Sequence, residues 1–364
     1  MATGPVLGSQ AQVALAGNAQ SWAAGMSGRT LATAHALPVI SESIKRIEEK
    51  EENNELVGQI HRRRSIHVGA RIGGDIVFQG DYNYLPFALA FAMGTAGTPT
   101  ETEASFRYTH RLQYHDSLIG VYATLGLNRN IDKTGADGDE TAYLYQGAKA
   151  NGFTFRAEQG AAAKLTVPFL CRELTDDASP ASWTYRQNVN TGMEYMLLSQ
   201  AVLRIKAAAS TALGSGDVLD LPVSVEIAYS PGLASDIPDD EGVKDEPVMR
   251  TPPVTRMTVA WSRINQTLRT LLVSAFENTT ALKADLIFTG SAIGAGTHLA
   301  TFSFPEIYVD SDLDAVAEGS DLIGFPVEFH AQQATAAPTG MTGITKPLDV
   351  SIVNFVNADP LATS

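Results

Sequence analysis

The sequence contains little cysteine and little charge. Its 364 residues include one cysteine, Cys171, which excludes an intramolecular disulfide framework. Cys171 lies in the alternating segment LTVPFLCREL, a position typical of a small core residue. Charged residues make up only 18% of the chain, yet acids outnumber bases and the net charge is −14. This balance argues against a protein that wraps nucleic acid with a basic surface.

Long apolar runs are missing as well. No segment approaches the roughly 20 apolar residues that span a bilayer. The first residues, MATGPVLGSQAQVALAGNAQSW, show no basic start before an apolar core. We therefore expect neither a membrane anchor nor a signal peptide, and we expect synthesis in a reducing cytosol.

The sequence lacks the motifs of common enzymes and cofactor sites. It has no Gly-x-Ser-x-Gly elbow and no Walker loop. Gly69, Gly73 and Gly74 precede a predicted strand, whereas the glycines of a dinucleotide fingerprint follow one, so we expect them to relieve a turn. Cys171 lies among apolar neighbours that would raise its pKa, which argues against a nucleophile. We predict no catalytic residue and no cofactor.

Two groups of polar residues resemble metal sites only superficially. His110, His115 and Asp116 are spaced unsuitably for one strand face or one helical turn, which favours ordinary strand and turn residues. The segment Asp310–Gly324, DSDLDAVAEGSDLIG, lacks the spacing of glycine and terminal glutamate that a calcium loop has. A solvated acidic turn is the favoured reading of that segment, and we predict no metal site.

A strand followed by a short helix occurs twice in the chain. In Arg71–Gly94 an alternating strand leads to a helical stripe, with Pro86 in the first turn and Gly94 just past the end. In Val254–Phe276 an alternating strand again precedes helical spacing. Two such units predict a tandem duplication. The stripe residues are Leu85, Ala88, Leu89, Ala92 and Met93 in the first unit, and Leu268, Leu271, Leu272, Ala275 and Phe276 in the second.

Most of the remaining chain has the two-residue alternation of half-buried strands. A hairpin is predicted from Phe153–Ala157 and Leu165–Cys171, and the last pairing is predicted between Gly324–Gln332 and Pro347–Val356. Pro168 and Pro326 interrupt two of these strands, which predicts edge, bulge or first positions. The other predicted strands are Phe106–Asp116, Leu118–Leu127 as a strand or short helix, Ala201–Ala207, Asp220–Gly232, Lys283–Gly290 and His298–Asp310.

The N-terminal part differs from the rest in composition. Residues 1–60 are predicted to form an arm that is flexible or ordered against a partner, followed by a contact segment of mixed charge. Ser41 is a possible start of a brief helix. Arg62–Arg64 read either as a phosphate-binding patch or as part of a solvated or subunit-contacting segment, with the second reading favoured.

These features divide the chain into four parts. Residues 1–60 are the arm and contact segment, and 61–233 are the first domain. Residues 234–253 are an acidic, proline-rich linker. Residues 254–364 are the second domain. The predicted fold class is mainly β with short flanking helices, in tandem sandwich or barrel domains.

Several segments together resemble one known family. They are GGDIVFQGDYNYLPFALAFAMG, FRYTHRLQYHD, YQGAKANGFTFRAEQGAAAKLTVPFLCREL, LDLPVSVEIAYSPGL and PLDVSIVNFV. In order and pattern they resemble the tail tube proteins, or major tail proteins, of long-tailed bacteriophages. With the repeated unit, the resemblance covers most of residues 60–360.

The resemblance implies a structural, non-catalytic protein of the virion tail. Such proteins resemble one another in a β-sandwich or barrel core, and their rings stack into a hollow tube that conducts DNA from capsid to host. By analogy, Phe153–Phe155 and Leu165–Cys171, with their partners in the second unit, would line the lumen. Implied partners are further copies of the chain, the tape measure protein, neighbouring tail proteins and passing DNA without specific binding.

Oligomeric state and function keep alternatives at this stage. A tandem duplication favours homotrimeric, pseudo-hexameric rings, and homohexamers are the alternative. A tail ring that does not stack, such as a terminator, distal-tail or baseplate hub protein, is the nearest alternative function. A carbohydrate-binding or hydrolytic β-sandwich is a further one, but the sequence pairs no carboxylates on a rim as such a protein requires.

Overall fold

The fold was described from a computed structural model of the chain. It describes residues 12–17, 22, 31, 36–51, 66–95, 98–103, 106–132, 140–178, 193–234, 245–310 and 325–361. The basic cluster Arg62–Arg64, linker residues 235–244 and acidic residues 311–324 lie outside these ranges. No described helix has the length and apolar character needed to cross a membrane.

The described chain is mainly β, as predicted. Its first part contains β1 (Gln12–Gly17), β2 (Ala36–Leu37), β3 (Val39–Glu42), β4 (Lys45–Glu51), β5 (Ile66–Gln79), α1 (Leu85–Met93), β6 (Thr100–Glu103), β7 (Arg107–Gln113), β8 (Ala123–Asp132), β9 (Glu140–Ala150), β10 (Phe153–Glu158), β11 (Lys164–Cys171), β12 (Glu173–Ala178), β13 (Ala201–Ala207) and β14 (Ser224–Ser230). The later part contains β15 (Leu233–Ala234), β16 (Val248–Met249), β17 (Val254–Trp261), α2 (Gln266–Glu277), β18 (Leu282–Ile293), β19 (Gly296–Val309), β20 (Phe325–Ala331) and β21 (Asp349–Asn354).

One antiparallel array joins both halves of the chain. Neighbouring strands follow the order β5, β11, β10, β14, β17, β20 and β19. One edge of β19 pairs with β18, which pairs with β13. The opposite edge of β19 is shared between β20 and β21, and β21 continues to β7 and β6. Within the described ladders this array stays open and forms no closed barrel.

A smaller set of ladders is joined to the array. Its order is β2, β1, β8, β9 and β12, and all four pairings are antiparallel. Strand β9 links the two sets because Ala150 also pairs with Phe169 of β11. At this point β11 changes neighbour, from β10 before Pro168 to β9 after it. Pro168 therefore lies in an interior strand and not in an edge strand, at a break in the ladder that needs no N–H donor.

The core runs without interruption through both predicted domains. Phe155 of β10 lies 4.7 Å, between ring centroids, from Phe302 of β19 and 5.7 Å from Phe288 of β18. All three side chains are fully buried. The face of the β10–β11 hairpin therefore packs onto the β18–β19 hairpin in a sandwich arrangement. The boundary at 234–253 and the tandem duplication stay predictions.

Both strand–helix units are present, but their helices are buried differently. Gly94 ends α1 with φ 78°, and Pro86 lies in its first turn, as predicted. Every residue of α1 is buried, so its apolar surface is not a single stripe. In α2, Asn265 caps the N-terminus by accepting the Leu268 amide at 2.8 Å. Phe276, predicted on its buried face, is 43% exposed.

Three local predictions were wrong because pairing partners lie far away in sequence. The segment after Ser41 forms β3 and β4 against β5, and not a helix. The three glycines from Gly69 to Gly74 lie inside β5 and do not form a turn. Strands β20 and β21 do not pair with each other, since each instead pairs with β19 and with one further strand.

Candidate assembly surfaces

The strands predicted to line a channel have one buried face and one outward face. Phe155, Leu165 and Val167 point into the core and are fully buried. Thr154 and Thr166, which alternate with them, lie opposite each other on the outward face. Only these alternate polar residues of β10 and β11 can face a channel, because the apolar ones fill the sandwich.

The outward face continues across both halves of the chain and interleaves acids with bases. Arg156 approaches Glu158 at 2.5 Å and Glu226 at 4.0 Å, and Arg256 approaches Glu328 at 2.7 Å. Exposed pairs of this kind contribute little to stability, typically about 0–1 kcal/mol. Because Arg156 and Arg256 each lie beside glutamates, these arginines form no uninterrupted row of basic side chains that would hold phosphates. One cross-strand row consists of Lys164, Arg156, Glu226, Thr258 and Glu328.

A two-stranded ribbon extends this array at one end. Residues Ile66–Arg71 of β5 pair with β4, whereas β11 pairs with β5 only from Ile72 onward. We call this element, Lys45–Glu51 with Ile66–Arg71, the β4–β5 ribbon. It is charged in sequence, and Ile47 is 37% exposed. At about 3.4 Å per residue, the part of β5 beyond β11 spans roughly 20 Å. Strand β4 of the ribbon lies within the predicted contact segment 41–64.

The root of the ribbon depends on two glycines. A Cβ at Gly74, which has φ 155°, would lie 2.5 Å from the Ser43 carbonyl oxygen. A Cβ at Gly73 would lie 2.7 Å from the Phe169 carbonyl oxygen on the other side of β5. The Ser43 amide also donates to the Asp75 carbonyl at 2.9 Å. The glycines thus permit close approach of neighbouring strands.

Of the three residues set aside as a metal site, His115 and Asp116 lie side by side and exposed, whereas His110 lies in the core. His110 is buried, and its Nε2 contacts Asn354 Oδ1 at 3.2 Å and the Val356 carbonyl at 3.0 Å. Burial lowers the pKa of His110. Asp116 lies at the surface and pairs with Lys346, whose hydrogen bond lowers the pKa of Asp116. Among the described residues, no group of three or more His, Cys, Asp or Glu residues is placed to hold a metal ion.

Cys171 is fully buried on β11 and is not disulfide-bonded. Burial raises the pKa of its thiol far above the ordinary value. The alternation in the sequence predicted this burial, and a thiol held protonated and out of solvent is a poor nucleophile.

A buried ion pair was missed by the sequence analysis. Lys149 is 1% exposed, and its Nζ lies 2.5 Å from Glu246 Oε1 and 2.7 Å from the Leu118 carbonyl. The same carboxylate accepts the Gly120 amide at 2.7 Å. Burial lowers the pKa of Lys149, and Glu246 opposes that shift. Glu246 lies within the predicted linker 234–253, and these contacts tie that segment to β9 and to the loop before β8. The small neighbours of Lys149 in QGAKANG are the only signal in the sequence.

A second buried carboxylate fixes the segment before β13. Asp81 accepts the Asn83 amide at 2.8 Å and the Glu194 amide at 2.5 Å. Burial raises the pKa of Asp81 to about 6. Glu194 in turn accepts the Ser291 amide of β18 at 2.8 Å. These contacts join β5, β18 and the segment between them, and they have a structural role.

Comparison with known proteins was made against protein families and curated sequences. No curated protein matches the chain significantly. A family model described as phage tail tube protein matches residues 8–352, nearly the whole sequence. The matched region contains the β10–β11 hairpin, the outward face and the β4–β5 ribbon. The chain therefore belongs to the phage tail tube protein family, a structural component of the bacteriophage virion tail.

Proposed function

We propose that this chain forms rings that stack into a hollow tail tube and that the tube conducts DNA from capsid to host. The observation that carries the proposal is the outward face of the β11–β10–β14–β17–β20 array, which runs through both halves of a chain in the tail tube family. A continuous sheet face of this kind can form the inner wall of a ring. In this role the chain is not an enzyme.

The charge pattern of that face suits passage of DNA. Affinity for a duplex grows with each phosphate that a lysine or arginine neutralises. On this face Arg156 and Arg256 are accompanied by Glu158, Glu226 and Glu328. A wall of paired charges on a chain of net charge −14 would bind DNA weakly and without sequence preference.

The ring is proposed to contain three chains with pseudo-sixfold symmetry. Support comes from the two strand–helix units, β5 with α1 and β17 with α2, which both feed the same array. Closed rotation within a layer gives a ring, and head-to-tail contacts between layers give a filament. The β4–β5 ribbon is proposed to reach the next layer. The tape measure protein is the proposed partner inside the tube.

Negative-stain microscopy of the purified chain tests this function. Rings seen end-on should average to three-fold symmetry with six similar lobes, and side views should show long hollow tubes. Six-fold rings without internal lobe differences would replace the trimer by a hexamer. Single rings that never stack would instead support a terminator, distal-tail or baseplate ring. Monodisperse monomers at high concentration would contradict the proposal.

Reversing one charge on the proposed wall should make the tube retain DNA. We expect tubes of Glu226→Lys to bind short duplex DNA at least roughly tenfold more than wild-type tubes at 50 mM salt, with the excess lost at 200 mM. The measurement is co-sedimentation of fluorescent DNA with preassembled tubes. Glu277→Lys, at the exposed end of α2, makes the same charge change elsewhere. Equal DNA binding by both variants would place the wall on another face.

A further inference from the structure

A cavity of about 440 Å³ lies at the C-terminal end of β7. Two tyrosine rings form its floor: Tyr114 and Tyr229 stack with centroids 4.1 Å apart and planes inclined by 17°. The Thr255 hydroxyl donates to the Tyr114 hydroxyl at 3.3 Å, which fixes the first ring. Both rings are almost fully buried. The cavity therefore has a rigid aromatic floor of a size that accommodates an aromatic side chain.

The rim of this cavity is polar and carries more basic than acidic groups. Lys346, His115 and His330 line it, and Asp116 is the acidic residue of the lining. Asp116 is already paired with Lys346. With Lys346 paired to Asp116, His115 and His330 are the basic rim groups that can donate hydrogen bonds. An apolar floor with such a rim suits an apolar side chain whose neighbours carry acceptors such as carboxylates.

An exposed aromatic side chain lies at the opposite end of the same strand. Phe106, in the turn between β6 and β7, is 58% exposed. Its amide donates to the Glu103 carbonyl at 3.1 Å. The Glu103 carboxylate accepts the Ala295 amide, with oxygen distances of 3.1 and 2.9 Å, at the tip of the β18–β19 hairpin. Phe106 is thus presented on a fixed tip, beside the acidic strand β6, whose sequence is TETE.

The two features are complementary and cannot meet within one chain. From Phe106 to Tyr114 the chain runs the length of β7, about 27 Å at about 3.4 Å per residue. A projection at one end and a matching cavity at the other make a head-to-tail contact. Such a contact uses different patches on the two copies, so it propagates instead of closing into a dimer.

We propose that Phe106 of one copy inserts into the Tyr114–Tyr229 cavity of the next copy. The acidic strand β6 then lies against the rim that holds Lys346, His115 and His330. This inference rests on the proposed function, because a tube needs a contact that joins successive copies head to tail. The occupant is a second copy of this chain and not a small ligand.

Disulfide trapping tests the contact directly. The native Cys171 is buried, so engineered cysteines are the accessible ones. Phe106→Cys and Gln333→Cys, the latter on the cavity rim, are prepared as separate, reduced chains, mixed, and only then treated with an added oxidant. The mixture should give a cross-linked dimer, and the chain with both substitutions should give a ladder of higher multimers. A dimer from Phe106→Cys alone, or no cross-link in the mixture at high concentration, would overturn the proposal.

Assembly of a second variant separates this contact from the proposed function. Phe106→Ser should raise the concentration needed for assembly by roughly tenfold or more, because interface anchors are commonly aromatic. Phe276→Ser removes another exposed phenylalanine and should leave that concentration unchanged. Wild-type length and yield of Phe106→Ser tubes would overturn the contact and leave the tube function standing. Absence of wild-type tubes would contradict the tube function, and the cross-linking result would still decide the contact.

Discussion

Replacing Glu246 with alanine should lower the free energy of unfolding by about 3–5 kcal/mol at pH 7. The carboxylate lies 2.5 Å from the Lys149 ammonium, which is 1% exposed. Without Glu246 the ammonium keeps the Leu118 carbonyl but loses its counter-charge. The Gly120 amide also loses its acceptor. The measurement is denaturant unfolding of the monomeric chain, with wild type and variant compared at equal concentration.

The cost of this substitution should shrink as the pH rises. Burial lowers the pKa of Lys149 in the folded chain, so the folded chain binds fewer protons than the unfolded one. Stability therefore rises with pH between the lowered pKa and the ordinary lysine value of about 10.4. In Glu246→Ala the pKa of Lys149 falls further, because the carboxylate that opposed the effect of burial is gone. Releasing the proton costs about 1.4 kcal/mol for each pH unit below 10.4, so at pH 10 the part of the loss that comes from the unpaired ammonium should be below about 1 kcal/mol. The remaining loss at that pH comes from the Gly120 amide, which has no acceptor in the variant.

A double substitution controls for the packing of the two side chains. Lys149→Met with Glu246→Ala removes both charges, and it should be more stable at pH 7 than Glu246→Ala alone. An equal loss in the single and double variants would show that the buried charge is not the cause. As a further control, Arg156→Ala removes one member of an exposed pair and should change stability by less than about 1 kcal/mol.

This ion pair marks a limit of reasoning from sequence. Alternation located most strands because it depends on each residue's own face, and the β10–β11 hairpin followed from a short turn between two such runs. Lys149 and Glu246 are far apart in the chain, and no local pattern relates them. Partner choice between distant strands has the same limit. The prediction that β20 pairs with β21 was wrong for this reason, since both strands instead pair with β19.

The helices show a signal that was present but not used. The α1 sequence LPFALAFAM has no charged or polar side chain, and a helix that is apolar on every side is buried on every side. The expectation of one apolar stripe ignored this composition. In α2 polar residues occupy most of the surface, and only Leu268, Leu272 and Ala275 are fully buried. Two similar spacings thus gave helices in different environments.

The candidate surfaces were only partly predictable. Segment 41–64 was expected to make contacts, and its described part forms a ribbon strand where a helix had been possible. The outward polar face follows from alternation along β10 and β14. The cavity at the end of β7 could not be predicted, because Tyr114 follows β7 whereas Tyr229 and Thr255 lie on β14 and β17, and these elements meet only in the folded chain.

Gly74→Ala should destabilise the chain by roughly 2–6 kcal/mol and release the β4–β5 ribbon. The residue has φ 155°, which residues with a side chain rarely adopt. The new methyl group would also lie 2.5 Å from the Ser43 oxygen and 2.8 Å from the Ile44 Cα. Both are backbone atoms, so strand β3–β4 must move away from β5.

Two measurements distinguish release of the ribbon from general unfolding. Amide hydrogen exchange in Gly74→Ala should lose protection in Lys45–Ile47 while β11 keeps it, because β11 pairs with β5 from its other side. Gly216→Ala, where nothing lies within 4 Å of the new methyl group, should stay within about 0.5 kcal/mol of wild type. If the ribbon reaches the next layer, Gly74→Ala chains that remain folded should form rings but few long tubes. Protected ribbon amides together with normal tubes would show that the close approach at Gly74 is dispensable.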